Sequence, residues 1–406
     1  MRSTVEVKLW GHKVGALQWN EQLKCASFEY SSEFMNKGVE IAPLTMPLVQ
    51  RKYSFPELTT KTFLGLPGLL ADALPDDFGR AMYHKMFDSK GVVMPNPVEL
   101  LGMQGTRSMG ALEFAPIIEP DLEEGQPLEL DFLVQSAKEG TDPIIRVGTS
   151  AGGQRAKAVI AYNDVTGEVR SGQTTAPESF DYWLIKLDGV TNKELGDPMH
   201  FGEIEYVHYL VAKAAGINMT ECRLYREHDR AHFMTRRFDR ANGQKLHMQT
   251  LCGIAHYDFN MLHAHSYEEA FGIMRRLRLT YPEAEEFYRR MVFNVVARNQ
   301  DDHTKNISFL MNRKGEWRLS PAYDMSWAYN PNGGWTATHQ MSINNKWDNI
   351  TREDLLTVAS EMNVKGAKQI IDQVVDAVHQ WSRLAKENSD IPQSTIDFIE
   401  RTHVYV

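Results

Sequence analysis

Asp301 and Asn306 stand in the run Asn299-Gln300-Asp301-Asp302-His303-Thr304-Lys305-Asn306, and Asp324 closes the later run Leu319-Ser320-Pro321-Ala322-Tyr323-Asp324. These residue types, in this order, suit phosphoryl transfer. One carboxylate takes the proton of an attacking hydroxyl, while hard oxygen donors hold Mg²⁺ on nucleotide phosphates. An Asp–x₄–Asn loop can aim its acid at substrate while its amide turns back toward the metal. The same residues also build ordinary Asx turns between a helix and a hairpin. His303 would suit a metal hydrolase only with a second histidine at ligand spacing, such as H-x-x-x-H, and none stands near it.

The elements around the run favour the first reading. Phe287, Met291, Val292 and Val295 recur at spacings of three and four, which predicts a helix over Phe287–Arg298 delivering the loop. A short strand, Trp317–Leu319, then leads to Asp324. Protein kinases use this order: a catalytic Asp, an Asn five residues on, and a second metal-binding Asp after a hairpin.

Upstream stretches fit the same plan. Arg146-Val147-Gly148-Thr149-Ser150-Ala151-Gly152-Gly153-Gln154-Arg155 is a Gly-rich turn with two hydroxyls. Its backbone could approach phosphates, and it could equally be a plain hairpin turn. Lys186 lies in the apolar strand Trp183-Leu184-Ile185-Lys186-Leu187, either as a paired cation facing phosphates or as an edge lysine facing water. Glu203 and Glu205 follow in the first turn of a predicted helix, Ile204–Ala215. There they could pair with Lys186 or simply complement the helix dipole. Met234-Thr235-Arg236-Arg237-Phe238-Asp239-Arg240 occupies the place of a kinase hinge, and its arginines read first as a solvated basic patch.

The chain of 406 residues has room for two or three domains. Its 42% hydrophobic and 24% charged residues are ordinary for a soluble globular protein. A net charge of −9 argues against nucleic-acid binding through the overall field. Cys25, Cys222 and Cys252 form neither a disulfide framework nor a zinc site and suit a reducing cytosol. No apolar run suits a signal peptide or a bilayer span, so a cytoplasmic protein without membrane contact is expected. The first thirty residues alternate as an antiparallel meander. Leu66–Asp88 reads as helix interrupted at Pro75. Leu100–Phe114 carries three glycines and ends in a strand. Pro116–Leu130 is the best linker, and Leu130–Lys138 a helix. Strands are expected at Ile144–Val147, Ala156–Tyr162, Tyr182–Leu187, Arg223–Tyr225 and His232–Thr235. From Tyr267 onward helix dominates, with a cap at Thr351 and an apolar stripe within Gly366–Lys386.

The set as a whole resembles the HipA family of bacterial serine/threonine kinase toxins. The likeness runs from Gly65–Gly79 and Gly105–Phe114 through the Gly-rich turn, Trp183–Leu187, Glu205–Ile217 and Arg237–Arg240 to Asp301–Leu310 and Ser320–Asp324. It implies an α+β, two-lobed protein-kinase-like fold. Residues 1–115 would be a β-rich N-terminal subdomain, 130–235 a small lobe with the Gly-rich loop, and 236–406 a helical C-lobe. It also implies site roles. Asp301 would be the base, Asn306 and Asp324 would hold Mg²⁺, and Lys186 would bind ATP phosphates and be oriented by Glu205. Gly148, Thr149, Ser150, Gly152 and Gly153 would cradle the nucleotide, and Arg236 and Phe238 would line the hinge. Ser150 or Thr149 would be autophosphorylated. A protein substrate and a small helix-turn-helix antitoxin are implied as partners, with DNA contacted only through the antitoxin. Arg236 replaces a Glu of some members, and Asp302 stands where Gly is common, which predicts a slightly different loop. Two other classes stay open on the residues: a nucleotide-binding regulatory module without catalysis, and a kinase acting on a small molecule or lipid.

Overall fold

The computed structural model describes residues 4–116, 156–172, 176–188, 200–228, 230–241 and 243–406. The Gly-rich turn, the Pro116–Leu130 linker beyond its first residue, the Leu130–Lys138 helix and the Ile144–Val147 strand lie outside them. The chain forms two compact units. One comprises Met1–Met199, Met234–His256 and Leu310–Glu316; the other comprises His200–Phe233, Tyr257–Phe309 and Trp317–Val406.

The expected meander opens the first unit. Strands β1 (Thr4–Leu9), β2 (His12–Asn20) and β3 (Cys25–Tyr30) pair antiparallel in sequence order. Gly11, at φ 81°, makes the turn between β1 and β2 with a backbone that L side chains avoid. Val5, Val7 and Leu9 are buried with Leu17 and Phe28, as the period of two requires. The sheet closes with β4 (Lys52–Tyr53) beside β3 and β5 (Leu112–Ala115) beside β1, where Val7 faces Phe114. Pro75 separates a short helix, Gly68–Ala71, from a longer one, Asp77–Ser89. Asp76 restarts the helix as its cap, accepting the Gly79 amide at 2.7 Å. Leu100–Phe114 holds more helix than its glycines suggested. Asn96 and Glu99 form a capping box that opens Pro97–Gln104.

In the same unit β6 (Lys157–Tyr162) lies between β7 (Val169–Ser171) and β8 (Asp181–Lys186), both antiparallel to it. The register sets Lys157 opposite Lys186. Directly opposed residues share a face of the sheet.

The second unit is mainly helical. Helix Phe201–Ala214 begins before the expected Ile204 and is followed by strand Cys222–Glu227. Strand Arg230–Arg236 then leads the chain back into the first unit. Helices Tyr267–Arg276 and Tyr281–Val296 precede the acidic loop; Arg352–Met362, Ala367–Val378, Trp381–Asn388 and Gln393–Thr402 come later. The cap at Thr351 is present, its amide donating to Asp354 Oδ2 at 2.8 Å. The apolar stripe of Gly366–Lys386 splits into two helices around His379 and Gln380.

Candidate functional site

Helix Tyr281–Val296 positions the acidic loop. It starts before the expected Phe287 because Thr280 and Glu283 form a capping box, the Thr280 amide donating to Glu283 Oε2 at 2.7 Å. Phe287, Met291, Val292 and Val295 are buried and fix the helix in the core. Arg298, at φ 56°, then turns the chain sharply away from the helix axis, and the Asn299 amide closes back on Asn294 O at 2.9 Å. Side chains hold the start of the loop. Asn299 Nδ2 donates to Asn294 Oδ1 at 2.9 Å and to Asp324 O at 3.2 Å. A residue two positions before the candidate base is thereby tied to the main chain of the second metal-binding candidate. Asp324 itself adopts φ 53°, a left-handed conformation that few non-glycine residues take without cause.

Asn306 Nδ2 donates to the Asp301 carbonyl at 2.8 Å, so the two ends of the Asp–x₄–Asn loop are hydrogen-bonded to each other. With its amide nitrogen committed, Asn306 has its oxygen left to offer a cation. The Asp301 carboxylate accepts one indole N–H, from Trp335 Nε1 at 2.7 Å, and His303 Nε2 lies 3.8 Å away. Its side chain is 42% exposed, yet its carboxyl is pushed above the ordinary aspartate value. Desolvation by the surrounding atoms is the main cause, and the nearby charges of Asp324 and Asp302 press the same way. His303 and the indole N–H oppose it. Three carboxylates, Asp301, Asp302 and Asp324, thus press on one another here, and His303 offsets part of their charge. Among the described residues no group of three or more His, Cys, Asp or Glu side chains forms a complete metal cage. A cation on Asn306 and Asp324 would therefore complete its shell with phosphate oxygens and water, as Mg²⁺ in phosphotransferases does.

Asp302 does more than alter the loop slightly. It is 3% exposed and fully satisfied: Tyr267 Oη donates at 2.8 Å, His339 Nδ1 lies at 2.8 Å, and the Gln340 amide donates at 2.8 Å. Asn294 Nδ2 donates to the same Tyr267 Oη at 2.9 Å. One network therefore joins Asp302, Tyr267, Asn294, Asn299 and the Asp324 carbonyl. A second anchor comes from Thr402, whose carbonyl accepts Arg298 Nε and whose hydroxyl accepts Trp327 Nε1, each at 2.9 Å. Sequence reading missed Asp302 as an anchor, and with it Tyr267, His339, Trp335 and Thr402.

The other expected site residues are divided between the two units. Lys186 ends β8 in the first unit, and Glu205 is buried in helix Phe201–Ala214 of the second. Glu203, the rival acid, is committed elsewhere. It accepts the Asp390 amide at 2.8 Å and Arg226 at 3.3 Å, and His200 Nδ1 lies 2.5 Å from it. In the stretch expected to be the hinge, the Arg237 amide donates to Tyr182 O at 2.9 Å. Arg236 is exposed beside Asp181 at 2.5 Å. Phe238 is half-buried. Arg237 and Arg240 are not the solvated patch that the sequence suggested. Both grip the buried Asp239, Arg237 through Nε at 2.9 Å and Nη2 at 2.7 Å, Arg240 through Nη1 at 2.7 Å. The Gly110 amide adds a fourth donor at 2.7 Å. Burial made these guanidiniums pair, because an isolated charge could not be sustained there. Sequence reading also missed Lys157, whose ammonium lies 3.5 Å from Asp76 with both side chains buried. Gly148, Thr149, Ser150, Gly152 and Gly153 lie outside the described residues.

The mixed α+β fold, with β-rich N-terminal and helical C-terminal parts, is kinase-like. Residues 5–115 match the HipA N-terminal domain, and residues 149–382, more than half of the chain, match the HipA-like C-terminal domain. The chain belongs to the HipA family. It is similar to the candidate kinase Y4dM of Sinorhizobium fredii, with 24% identity over 242 residues, 54% of this chain and 56% of that protein. The chain thus spans about half the length of that curated relative. Among solved structures it resembles the Shewanella oneidensis MR-1 toxin–antitoxin complex of HipA, HipB and operator DNA. The TM-score is 0.70 at 17% identity, covering 98% of this chain and 94% of that one. At that identity the likeness concerns the fold.

Proposed function

We propose that this chain is a Mg-ATP-dependent serine/threonine protein kinase of HipA type. The observation that carries this reading is the Asp301 loop. A base candidate with a raised pKa is hydrogen-bonded to Asn306 and held, through Asn299, to the main chain of Asp324. Asp301 would receive the proton of a substrate hydroxyl as its oxygen attacks the γ-phosphorus and ADP leaves. A raised carboxyl pKa brings the base nearer to working pH, which improves proton transfer. Asn306 and Asp324 would hold Mg²⁺, which when bound neutralises charge on the phosphates. Lys186 would contact the ATP phosphates. Glu205 would orient Lys186, as in the family that the chain belongs to. The Gly-rich turn with Gly148, Thr149, Ser150, Gly152 and Gly153 would bind nucleotide. The hinge backbone beside Arg236 and Phe238 would receive adenine.

Autophosphorylation at Ser150 or Thr149 belongs to the same reading. A phosphate there would place ~1.5–2 negative charges where ATP phosphates must bind and so switch the kinase off. A small DNA-binding antitoxin is the proposed partner, supported by the Shewanella HipA chain that is bound to HipB and operator DNA. No helix among the described residues is long and apolar enough to cross a membrane, and we assign the chain to the cytoplasm, where its three buried thiols would stay reduced. The test is incubation with labelled ATP and Mg²⁺, then mass spectrometry of this chain and of a cell lysate. Label on seryl or threonyl residues is expected; no label on any protein would overturn the reading.

A further inference from the structure

Trp335 sits beyond Asp324 in the chain and returns to the Asp–x₄–Asn loop. Its indole Nε1 donates to Asp301 Oδ1 at 2.7 Å, and its ring meets His303 edge-on with centroids 6.5 Å apart. The main chain around it is fixed. Gln340 Nε2 donates to Trp335 O at 2.5 Å, to Thr338 O at 3.1 Å and to Gln300 O at 3.1 Å. Gln340 is the residue whose amide binds Asp302. The Trp335 backbone is therefore tied to the same network that holds the acidic loop. The residue as a whole is 37% exposed. Gly333 and Gly334, at φ 98° and 92°, precede it in conformations that L side chains rarely adopt. A Cβ at Gly333 would meet no atom within 4 Å. An anchored backbone and a residue that is more than a third exposed let the indole leave by rotation about its own side-chain bonds, without moving the loop.

An indole is a donor with no acceptor. A hydroxyl about to be phosphorylated must also present a donor to the base, at hydrogen-bond distance. The indole holds Oδ1, one of the two carboxylate oxygens that could take that proton. We propose that Oδ1 is the oxygen that receives the acceptor's proton and that Trp335 is a gate on it: the indole N–H occupies Oδ1, and the ring swings away when an acceptor hydroxyl arrives. This inference rests on Asp301 being the base. It adds a step to the reaction, exchange of one donor for another at Oδ1, and a residue that sets how readily acceptors enter. No bond is made or broken in that step beyond the two hydrogen bonds exchanged.

The gate predicts that a ring without the N–H admits acceptors more easily. Trp335→Phe is the variant, and water is the acceptor used as probe, read as Mg-ATP hydrolysis by the full chain. Hydrogen bonds to charged groups suggest a rise of about 10-fold in kcat, with KM for Mg-ATP unchanged. A residue that merely supported the loop would instead lower kcat when truncated. Wild-type hydrolysis with a Trp335→Phe rate equal to or below it overturns the gate and leaves the kinase reading standing. Absence of transfer to water and to protein in both chains overturns the kinase reading, and the gate with it. A second readout is independent of turnover. The Trp335 indole N–H, identified in the nitrogen-15 spectrum by its loss in Trp335→Phe, should exchange with solvent faster in Asp301→Ala than in wild type. Equal exchange in the two chains overturns the contact on which the gate depends.

Discussion

Asp239 and Asp301 are both aspartates crowded by protein, and their surroundings push them in opposite directions. Around Asp239, in the first unit, two guanidiniums and the Gly110 amide converge on one carboxylate. Burial alone would raise its pKa, but Arg237 and Arg240 outweigh burial and hold the carboxyl well below the usual range. Around Asp301, in the second unit, one indole N–H faces a carboxylate that has Asp302 and Asp324 as neighbours, and desolvation wins. A buried carboxylate met by four donors from two guanidiniums and an amide is a strut, because its charge is already answered by protein. A carboxylate left short of donors beside like charges is costly to maintain, and such cost concentrates at functional sites. Asp302 sharpens the contrast from one position away: three donors meet it, and it anchors the loop that its neighbour uses.

The largest effect that would break the comparison is on phosphoryl transfer. Asp301→Asn keeps shape and removes the base, so turnover should fall by roughly 10²–10⁴-fold while ATP affinity holds. Its effect on stability should be small and favourable. A carboxyl whose pKa is raised by folding weighs against the folded state once pH exceeds 3.8, and a neutral amide removes that burden. A raised melting temperature at pH 7 in the inactive chain checks both halves; a lowered one contradicts the second.

Next comes the strut. Asp239→Asn leaves two buried guanidiniums without their anion, and breaking such a cluster costs about 3–5 kcal/mol. Urea unfolding at neutral pH reads it directly. A loss under about 1 kcal/mol would mean that water or another acceptor already serves Arg237 and Arg240.

The second unit also carries a pH-dependent weakness among its histidines. His208 packs on Trp381 with centroids 4.4 Å apart and lies 6.5 Å from His403, which packs edge-on against Tyr405. Burial lowers His208 to about 4 and His403 to about 3, the latter helped by His208, His379 and Arg298. Both bind protons less readily folded than unfolded. Their contribution to stability is whole above about 6.5 and is lost as pH falls from there toward 4 and 3. Melting followed from pH 7 to pH 4 should show a fall that is reduced in His208→Gln.

The smallest effect concerns the second anchor. Thr402→Val removes the hydroxyl that accepts Trp327 Nε1 and should cost about 0.5–1.5 kcal/mol, the ordinary net value of a hydrogen bond, because the pair is only half-buried. Thr402→Ser should restore most of it. If serine fails where threonine succeeds, the methyl rather than the hydroxyl matters.

What the sequence made legible was local. The helix before the loop, the Asp–x₄–Asn spacing, the meander, the break at Pro75 and the cap at Thr351 all depend on residues a few positions apart. What it hid was distant. Trp335 reaches Asp301 across 34 positions, His339 reaches Asp302 across 37, and Gly110 reaches Asp239 across 129. No periodicity encodes such pairs, because topology brings them together. Arg237 and Arg240 looked like surface charge for that reason, and Lys157 drew no notice beside Lys186. The only hint lay in Arg237-Phe238-Asp239-Arg240 itself, where the acid stands between two bases.

The claim that Asp301 is the reactive acid and Asp239 the strut is tested most directly by following both carboxyl carbons by NMR in the full chain as pH is lowered. Asp301 should reach its titration midpoint above the ordinary aspartate value, while Asp239 stays ionised to the lowest pH at which the chain remains folded. Protonation in the reverse order, or of both together near the ordinary aspartate value, would contradict it.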